Sequence, residues 1–132
     1  MRVKILIADD DKGFLRMISK KITEKGYEVI TAANGTEALE MIRKEVPDVI
    51  ILDVTMPQMD GLTVLSELRK KPASAHWQPV IMVSGHTELD DLRKAYELDA
   101  DHYITKPCKP EDIQKVMELM VRLIPRRQKD GE

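Results

Sequence analysis

The feature that most constrains this chain is the run Val49-Ile50-Ile51-Leu52-Asp53, four apolar residues that end in a carboxylate. No polar residue alternates within the run, which is the pattern of a strand buried on both faces, as at the centre of a parallel sheet. A chain with such a strand must cover both faces of its sheet, and helices are the usual cover. Asp53 then stands at the carboxyl end of the strand, the edge where open α/β sheets bind ligands. Taken alone, Asp53 reads equally as a functional acid or as the cap of the following turn, since aspartate is a common turn residue.

The rest of the chain repeats the pattern. Val3 to Ala8 is a second apolar run and ends in Asp9-Asp10-Asp11. From Phe14 the apolar positions shift to helical spacing, with Phe14, Leu15, Ile18 and Ile22 on one face and Lys20, Lys21 and Glu24 outside. Gly26 ends this helix. A short strand, Tyr27 to Thr31, leads through Asn34-Gly35 to a helix that directs Ala38, Leu39, Ile42 and Val46 inward and stops at Pro47. Beyond Asp53 the pattern predicts a helix over about Leu62 to Lys70, an exposed connection from Lys71 to Pro79, and a strand from Val80 to Val83 ending at Ser84. A fourth helix, roughly Glu88 to Leu98, turns Leu89, Leu92 and Ala95 inward. A fifth strand, His102 to Thr105, runs into Lys106-Pro107. The last helix has Ile113, Val116, Met117, Met120 and Ile124 at helical spacing, and its methionines read as core and partner surface. Pro125 ends it, and Arg126 to Glu132 is expected to be a mobile polar tail or the start of a linker.

Five strand-helix repeats predict a parallel sheet with helices on both faces, because each right-handed crossover packs its helix back onto the sheet. A closed barrel needs eight such units, so the expected fold is an open, doubly wound (βα)5 sheet; if it takes the flavodoxin-like strand order 2-1-3-4-5, the first and third strands are neighbours at the switch point. The 132 residues suffice for one domain, expected over 1–124. With 21 basic and 23 acidic side chains the net charge is -2, which gives no electrostatic reason to expect direct contact with nucleic acid or a membrane surface. The single cysteine, Cys108, excludes an internal disulfide and a cysteine-based metal cluster. No run reaches the roughly 18 apolar residues of a membrane span, and the first apolar stretch is too short for a secretory signal. A cytoplasmic domain is expected.

Four polar features fall at one sheet edge in this reading: Asp9 and Asp10 after the first strand, Asp53 after the third, Ser84 after the fourth and Lys106 after the fifth. Singly, Asp11 reads as a helix cap, Ser84 as a turn residue and Lys106 as a surface charge. Jointly they converge. Two carboxylates about 4 Å apart repel by roughly 4 kcal/mol at an effective dielectric of 20, so either one stays protonated or a cation sits among them. Oxygen ligands without neighbouring His or Cys point to Mg²⁺ rather than zinc. With Lys106 as a positive charge and Ser84 as a hydroxyl donor, the set is organised for a phosphoryl group. Neither a Walker loop nor a GxGxxG fingerprint is present to bring a nucleotide. His76, His86 and His102 lack a second ligand at metal-binding spacing.

With these residues in view, the sequence resembles a response-regulator receiver domain over residues 3 to 124. The matching segments are Ile5 to Asp11, Asp48 to Gly61, Val80 to Gly85 and Tyr103 to Pro107, in order. The resemblance implies the flavodoxin-like strand order 2-1-3-4-5. It also implies that Asp53 accepts a phosphoryl group from a phosphohistidine on a sensor histidine kinase or phosphotransfer protein. It implies Mg²⁺ held by Asp10, Asp53 and the backbone carbonyl of Thr55, with Asp9 acting through a bound water. Lys106 would pair with the phosphoryl oxygens, and the Lys106-Pro107 bond is expected to be cis. Ser84 would move to the phosphoryl group and Tyr103 would swing inward, altering the surface of the fourth helix, fifth strand and fifth helix for a downstream output partner or a phosphorylation-dependent homodimer. Such a domain is no enzyme beyond its own phosphotransfer and slow self-dephosphorylation.

Departures from the commonest family pattern are Asp99, where Gly is frequent, and the variable positions Thr55 and His86, which flank the site and are expected to tune the lifetime of the phosphoryl group. Two other readings are a small aspartate-nucleophile phosphatase and an unphosphorylated docking module. The first typically needs an acid two positions after the nucleophile, where this chain has Thr55; the second leaves the intact acid set without a purpose. Too few residues follow Ile124 for an output domain, so the sequence is expected to be a stand-alone receiver or a piece of a longer chain.

Overall fold

Strand and helix alternate five times: β1 (Lys4–Ala8), α1 (Lys12–Glu24), β2 (Glu28–Ala32), α2 (Gly35–Glu45), β3 (Val49–Asp53), α3 (Gly61–Lys70), β4 (Val80–Ser84), α4 (Leu89–Glu97), β5 (His102–Thr105) and α5 (Pro110–Leu123). The structure is a computed structural model that describes residues 2–85 and 89–124, with only the backbone of Leu89 and Asp90. The expectations for His86, Pro125 and the tail from Arg126 to Glu132 lie outside the described residues, as does the inward placement of the Leu89 side chain. All strand pairs are parallel, as expected from the element sequence, and the order is β2-β1-β3-β4-β5, the flavodoxin-like order that the family resemblance implied.

Period-two alternation sorts the strand side chains between two cores. Leu6, Ala8, Ile50, Leu52, Val80 and Met82 face one way and pack with Ala38 and Ile42 of α2, Val64, Leu65 and Leu68 of α3, and Ala95 of α4. Ile5, Ile7, Val49, Ile51, Ile81 and Val83 face the other way, against Leu15, Ile18 and Ile22 of α1 and Ile113, Met117, Met120 and Val121 of α5. Every residue of β3 is buried, so the unbroken apolar run that marked it does cover two faces. Among the described residues no helix is long and apolar enough to cross a membrane.

Side chains close the helix ends. Asp11, Asn34 and Asp60 cap α1, α2 and α3 by accepting backbone N–H groups of the first turn. Gly26 follows α1 at φ 96°, the left-handed backbone that suits glycine. Asp99 takes the same region at φ 64° without being glycine, and its carbonyl accepts from Nε and Nη2 of Arg69 at 3.3 and 2.9 Å.

Two expectations need correction. Val46 is not directed inward: it is the left-handed C-cap of α2 at φ 46° and stands exposed, because the residue before Pro47 is disfavoured from continuing the right-handed helix. The connection from Lys71 to Pro79 is not wholly exposed. Gln78 is buried and its amide donates to the Pro47 carbonyl at 2.8 Å. Beside it, the Asp101 carboxylate gathers the backbone N–H of Val80 (2.8 Å), the Trp77 indole N–H (3.1 Å) and Nη2 of Arg69 (3.1 Å), while Nη1 of Arg69 donates to the Gln78 carbonyl. This clip ties α3, the connection before β4 and the turn before β5 together at the amino end of β4.

Candidate functional site

Strand register brings the chemistry to one level. Ala8 pairs with Leu52, Asp53 with Val83, and Ser84 with Thr105, so Asp9, Asp53, Ser84 and Lys106 all stand at the carboxyl ends of the four adjacent strands β1, β3, β4 and β5. Asp9 and Asp53 are nearly enclosed, 2% and 7% exposed, while Asp10 faces solvent. One carboxylate oxygen from each of Asp9, Asp10 and Asp53 lies within 4.8 Å of the others.

The local backbone fixes which acid does what. Asp9 accepts the N–H of Asp11 at 2.9 Å, and Asp11 itself turns away to cap α1 through Gly13 and Phe14. Of the three consecutive acids, the first two therefore belong to the pocket and the third to the helix. Asp53 accepts the N–H of Thr55 at 3.2 Å. Gly61 closes this loop by donating to the Val54 carbonyl at 2.7 Å, and a Cβ at Gly61 would run into the Asp53 carbonyl.

Lys106 reaches back over the pocket. Its ammonium donates to Asp9 Oδ2 at 2.8 Å and stands 3.5 Å from Asp53 Oδ2, with the centroid of the Phe14 ring 4.3 Å away. Its backbone N–H donates to the Ser84 carbonyl at 2.7 Å, and the Lys106-Pro107 bond is cis, as the family resemblance implied. Ser84 is fully buried. Tyr103 is half-buried against the core face shared by α2, α3 and α4, and its hydroxyl is hydrogen-bonded to the Ser84 side chain.

Electrostatics follow from this packing. Burial, then the neighbouring Asp9 charge, pushes the Asp53 carboxyl up from 3.8 to about 6, against the lowering pull of Lys106 and the Thr55 N–H. For Lys106, burial alone would depress the ammonium, but the hydrogen bond to Asp9 and the charges of Asp53 and Asp9 outweigh it and hold the group above the ordinary lysine range. Burial raises the Tyr103 hydroxyl, and the Ser84 hydrogen bond lowers it in part. Among the described residues one ammonium thus faces three acids, and a hard cation with oxygen ligands fits that donor set.

Sequence patterning and resemblance named Asp9, Asp10, Asp53, Thr55, Ser84, Tyr103 and Lys106. Asp9, Asp10, Asp53 and Lys106 come together directly, Ser84 and Tyr103 touch each other, and Thr55 meets the pocket through its backbone. Phe14 was expected only as a residue of the inner helix face. Its place four positions after Asp10, one helical turn into α1, was the available signal that it stands at this same edge.

Comparison with known proteins bears on the family and the fold. A family model described as "Response regulator receiver domain" matches residues 5–118. The chain is 40% identical over 119 residues to the probable transcriptional regulator ycf27 of Porphyra purpurea, covering 90% of this chain and 47% of that protein. It is 35% identical over 122 residues to the alkaline phosphatase synthesis transcriptional regulatory protein PhoP of Bacillus subtilis (strain 168), covering 92% and 50%. The chain thus spans about half the length of the curated relatives it matches. Among solved structures, a CheY-like receiver domain protein from Methanospirillum hungatei JF-1 superposes with a TM-score of 0.83 at 31% identity, covering 92% of this chain and 96% of that one.

Proposed function

The chain belongs to the family of response regulator receiver domains, and we propose that it is a phosphorylation-controlled switch in which Asp53 is the phosphoacceptor. The observation that carries this reading is the Lys106 ammonium set between Asp9 and Asp53, with three carboxylates converging within 4.8 Å. In the transfer, an Asp53 carboxylate oxygen attacks the phosphorus of a phosphohistidine. The bond from phosphorus to the imidazole nitrogen breaks, and the imidazole takes up a proton as it leaves. Burial and the Asp9 charge hold Asp53 at about 6, so it is mostly ionised and nucleophilic near pH 7. Lys106 follows the charge from the carboxylates to the phosphoryl oxygens.

Asp10, Asp53 and the Thr55 carbonyl would hold Mg²⁺, with Asp9 acting through a water. When bound, Mg²⁺ supplies the positive charge that offsets the phosphoryl oxygens. A phosphoryl group on Asp53 would compete with Tyr103 for the Ser84 hydroxyl. Freeing Tyr103 from Ser84 then lets it take a new position on the α4-β5-α5 surface, where Tyr96, Leu119 and Leu123 are exposed. That surface would meet the output partner or a second copy of the chain, while a sensor histidine kinase or phosphotransfer protein supplies the phosphoryl group. The receiver would occupy residues 1–124, and its chemistry would stop at its own phosphorylation and slow hydrolysis.

Incubation with acetyl phosphate and Mg²⁺ tests the reading. The expected result is a mass gain of one phosphoryl group that is absent in Asp53→Asn and in the presence of EDTA. No gain in the unaltered protein, or an equal gain in Asp53→Asn, refutes it.

A further inference from the structure

The role of Phe14 follows from the surroundings of the Lys106 ammonium. An ammonium has three N–H donors, and here Asp9 accepts one at 2.8 Å, Asp53 lies at 3.5 Å, and the Phe14 ring stands 4.3 Å away at its centroid. Phe14 is half-buried and fixed from two sides: Asp11 accepts its backbone N–H at 3.1 Å, and the neighbouring Leu15 and Ile18 are buried in the α1 and α5 core. An aromatic face attracts a cation within about 6 Å of its centroid without carrying a formal charge. That distinction matters in this pocket. A fourth carboxylate would hold Lys106 more tightly, but it would also draw the ammonium away from Asp53 and add repulsion to three acids already close together. A ring holds the cation weakly and without a fixed direction, so the ammonium can slide from Asp53 to an incoming phosphoryl oxygen while staying sheltered from water.

We propose that Phe14 is a positioning residue for the phosphorylation of Asp53, acting through Lys106. The inference rests on the phosphoacceptor reading of Asp53. In the reaction with acetyl phosphate, an Asp53 oxygen bonds to phosphorus, the phosphorus-to-acetyl-oxygen bond breaks, and acetate leaves with the electron pair. Phe14 enters none of these bonds. It keeps Lys106 where the phosphoryl oxygens arrive.

The test replaces Phe14 by 4-fluoro-, 3,5-difluoro- and pentafluorophenylalanine, which keep the size of the ring closely while progressively removing its negative face. The rate of phosphoryl uptake from acetyl phosphate is expected to fall stepwise across the series, by about three- to tenfold in all, with Mg²⁺ affinity unchanged. Phe14→Leu should match the slow end and Phe14→Tyr should retain the rate. The series should be flat in a Lys106→Met background. The NMR signals of the Lys106 ε-methylene protons should show a ring-current shift that Phe14→Leu abolishes. A flat series in a protein that does take up phosphate overturns the role of Phe14 and leaves the function of Asp53 standing. Failure of the unaltered protein to take up phosphate overturns both, and a persisting ring-current shift would then mark the contact as purely structural.

Discussion

Replacing Asp53 by asparagine should make the metal-free protein more stable near neutral pH. Asp53 is 7% exposed, so solvent screens its charge little, and its carboxyl sits at about 6 against an ordinary 3.8. The folded state therefore binds this proton more tightly than the unfolded chain does. The resulting stabilisation is fully present below about pH 4 and is lost as the pH rises through 6. Across that gap, at about 1.4 kcal/mol per pH unit, ionised Asp53 costs about 3 kcal/mol at pH 7.5. Asparagine cannot ionise, and its amide oxygen can still accept the Thr55 N–H that Asp53 accepts at 3.2 Å. Urea denaturation followed by circular dichroism in EDTA should place Asp53→Asn about 3 kcal/mol above the unaltered protein at pH 7.5, equivalent to about 10 °C in melting temperature for a chain of this size. The gap should close at pH 4. It should also narrow at pH 7.5 on adding Mg²⁺, because ligation stabilises only the protein that keeps the full acid set. Equal stabilities at pH 7.5 in EDTA, or a gap that persists at pH 4, would refute the electrostatic account.

Lys106→Met removes the ammonium between Asp9 and Asp53; it should lower metal-free stability at pH 7.5 by about 3 kcal/mol, while calorimetric titration shows tighter Mg²⁺ binding because no resident cation competes. Asp101→Ala leaves the Val80 and Trp77 N–H groups and Arg69 without their shared acceptor. A loss of about 2 kcal/mol in urea denaturation is expected, with phosphoryl uptake unchanged, since the clip lies at the opposite end of the strands. Val46→Gly relieves a β-branched residue held at φ 46° on the surface and should raise stability by about 0.5–1 kcal/mol in the same assay.

Much of this architecture is legible in the sequence because the strands are central ones. A strand covered on both faces has no polar positions, so Ile5 to Ala8, Val49 to Leu52 and Val80 to Val83 announce themselves without any need for alternation. Parallel pairing then brings residues that follow separate strands to one edge, so the order of elements makes the acids candidates for one pocket, and the strand order that the family resemblance implied puts Asp9 and Asp10 beside Asp53. What was not readable depends on side chains meeting across the fold. Phe14 and Lys106 meet only because the long Lys106 side chain reaches back from the end of β5 past β4 and β3 to the start of α1. The stretch before β4, rich in proline and small residues, has the composition of a surface loop. Its Gln78 is nonetheless buried, because the Pro47 carbonyl is there to receive it. Val46 continued the helical spacing, but Pro47 decided its backbone. The Ser84 and Tyr103 hydrogen bond lies within this group too, since residue types at two strand ends do not say which rotamer joins them.

The clip around Asp101 also makes the protein its own optical instrument. Trp77 is the single tryptophan of the chain, and its indole is anchored at the amino end of β4. The acid pocket lies past the other end, five residues or about 17 Å along the strand. Its fluorescence is therefore positioned to monitor the integrity of the sheet while remaining deaf to charge or metal at Asp53. A change in emission on phosphorylation would mean that the signal had crossed the whole sheet, from one rim to the other.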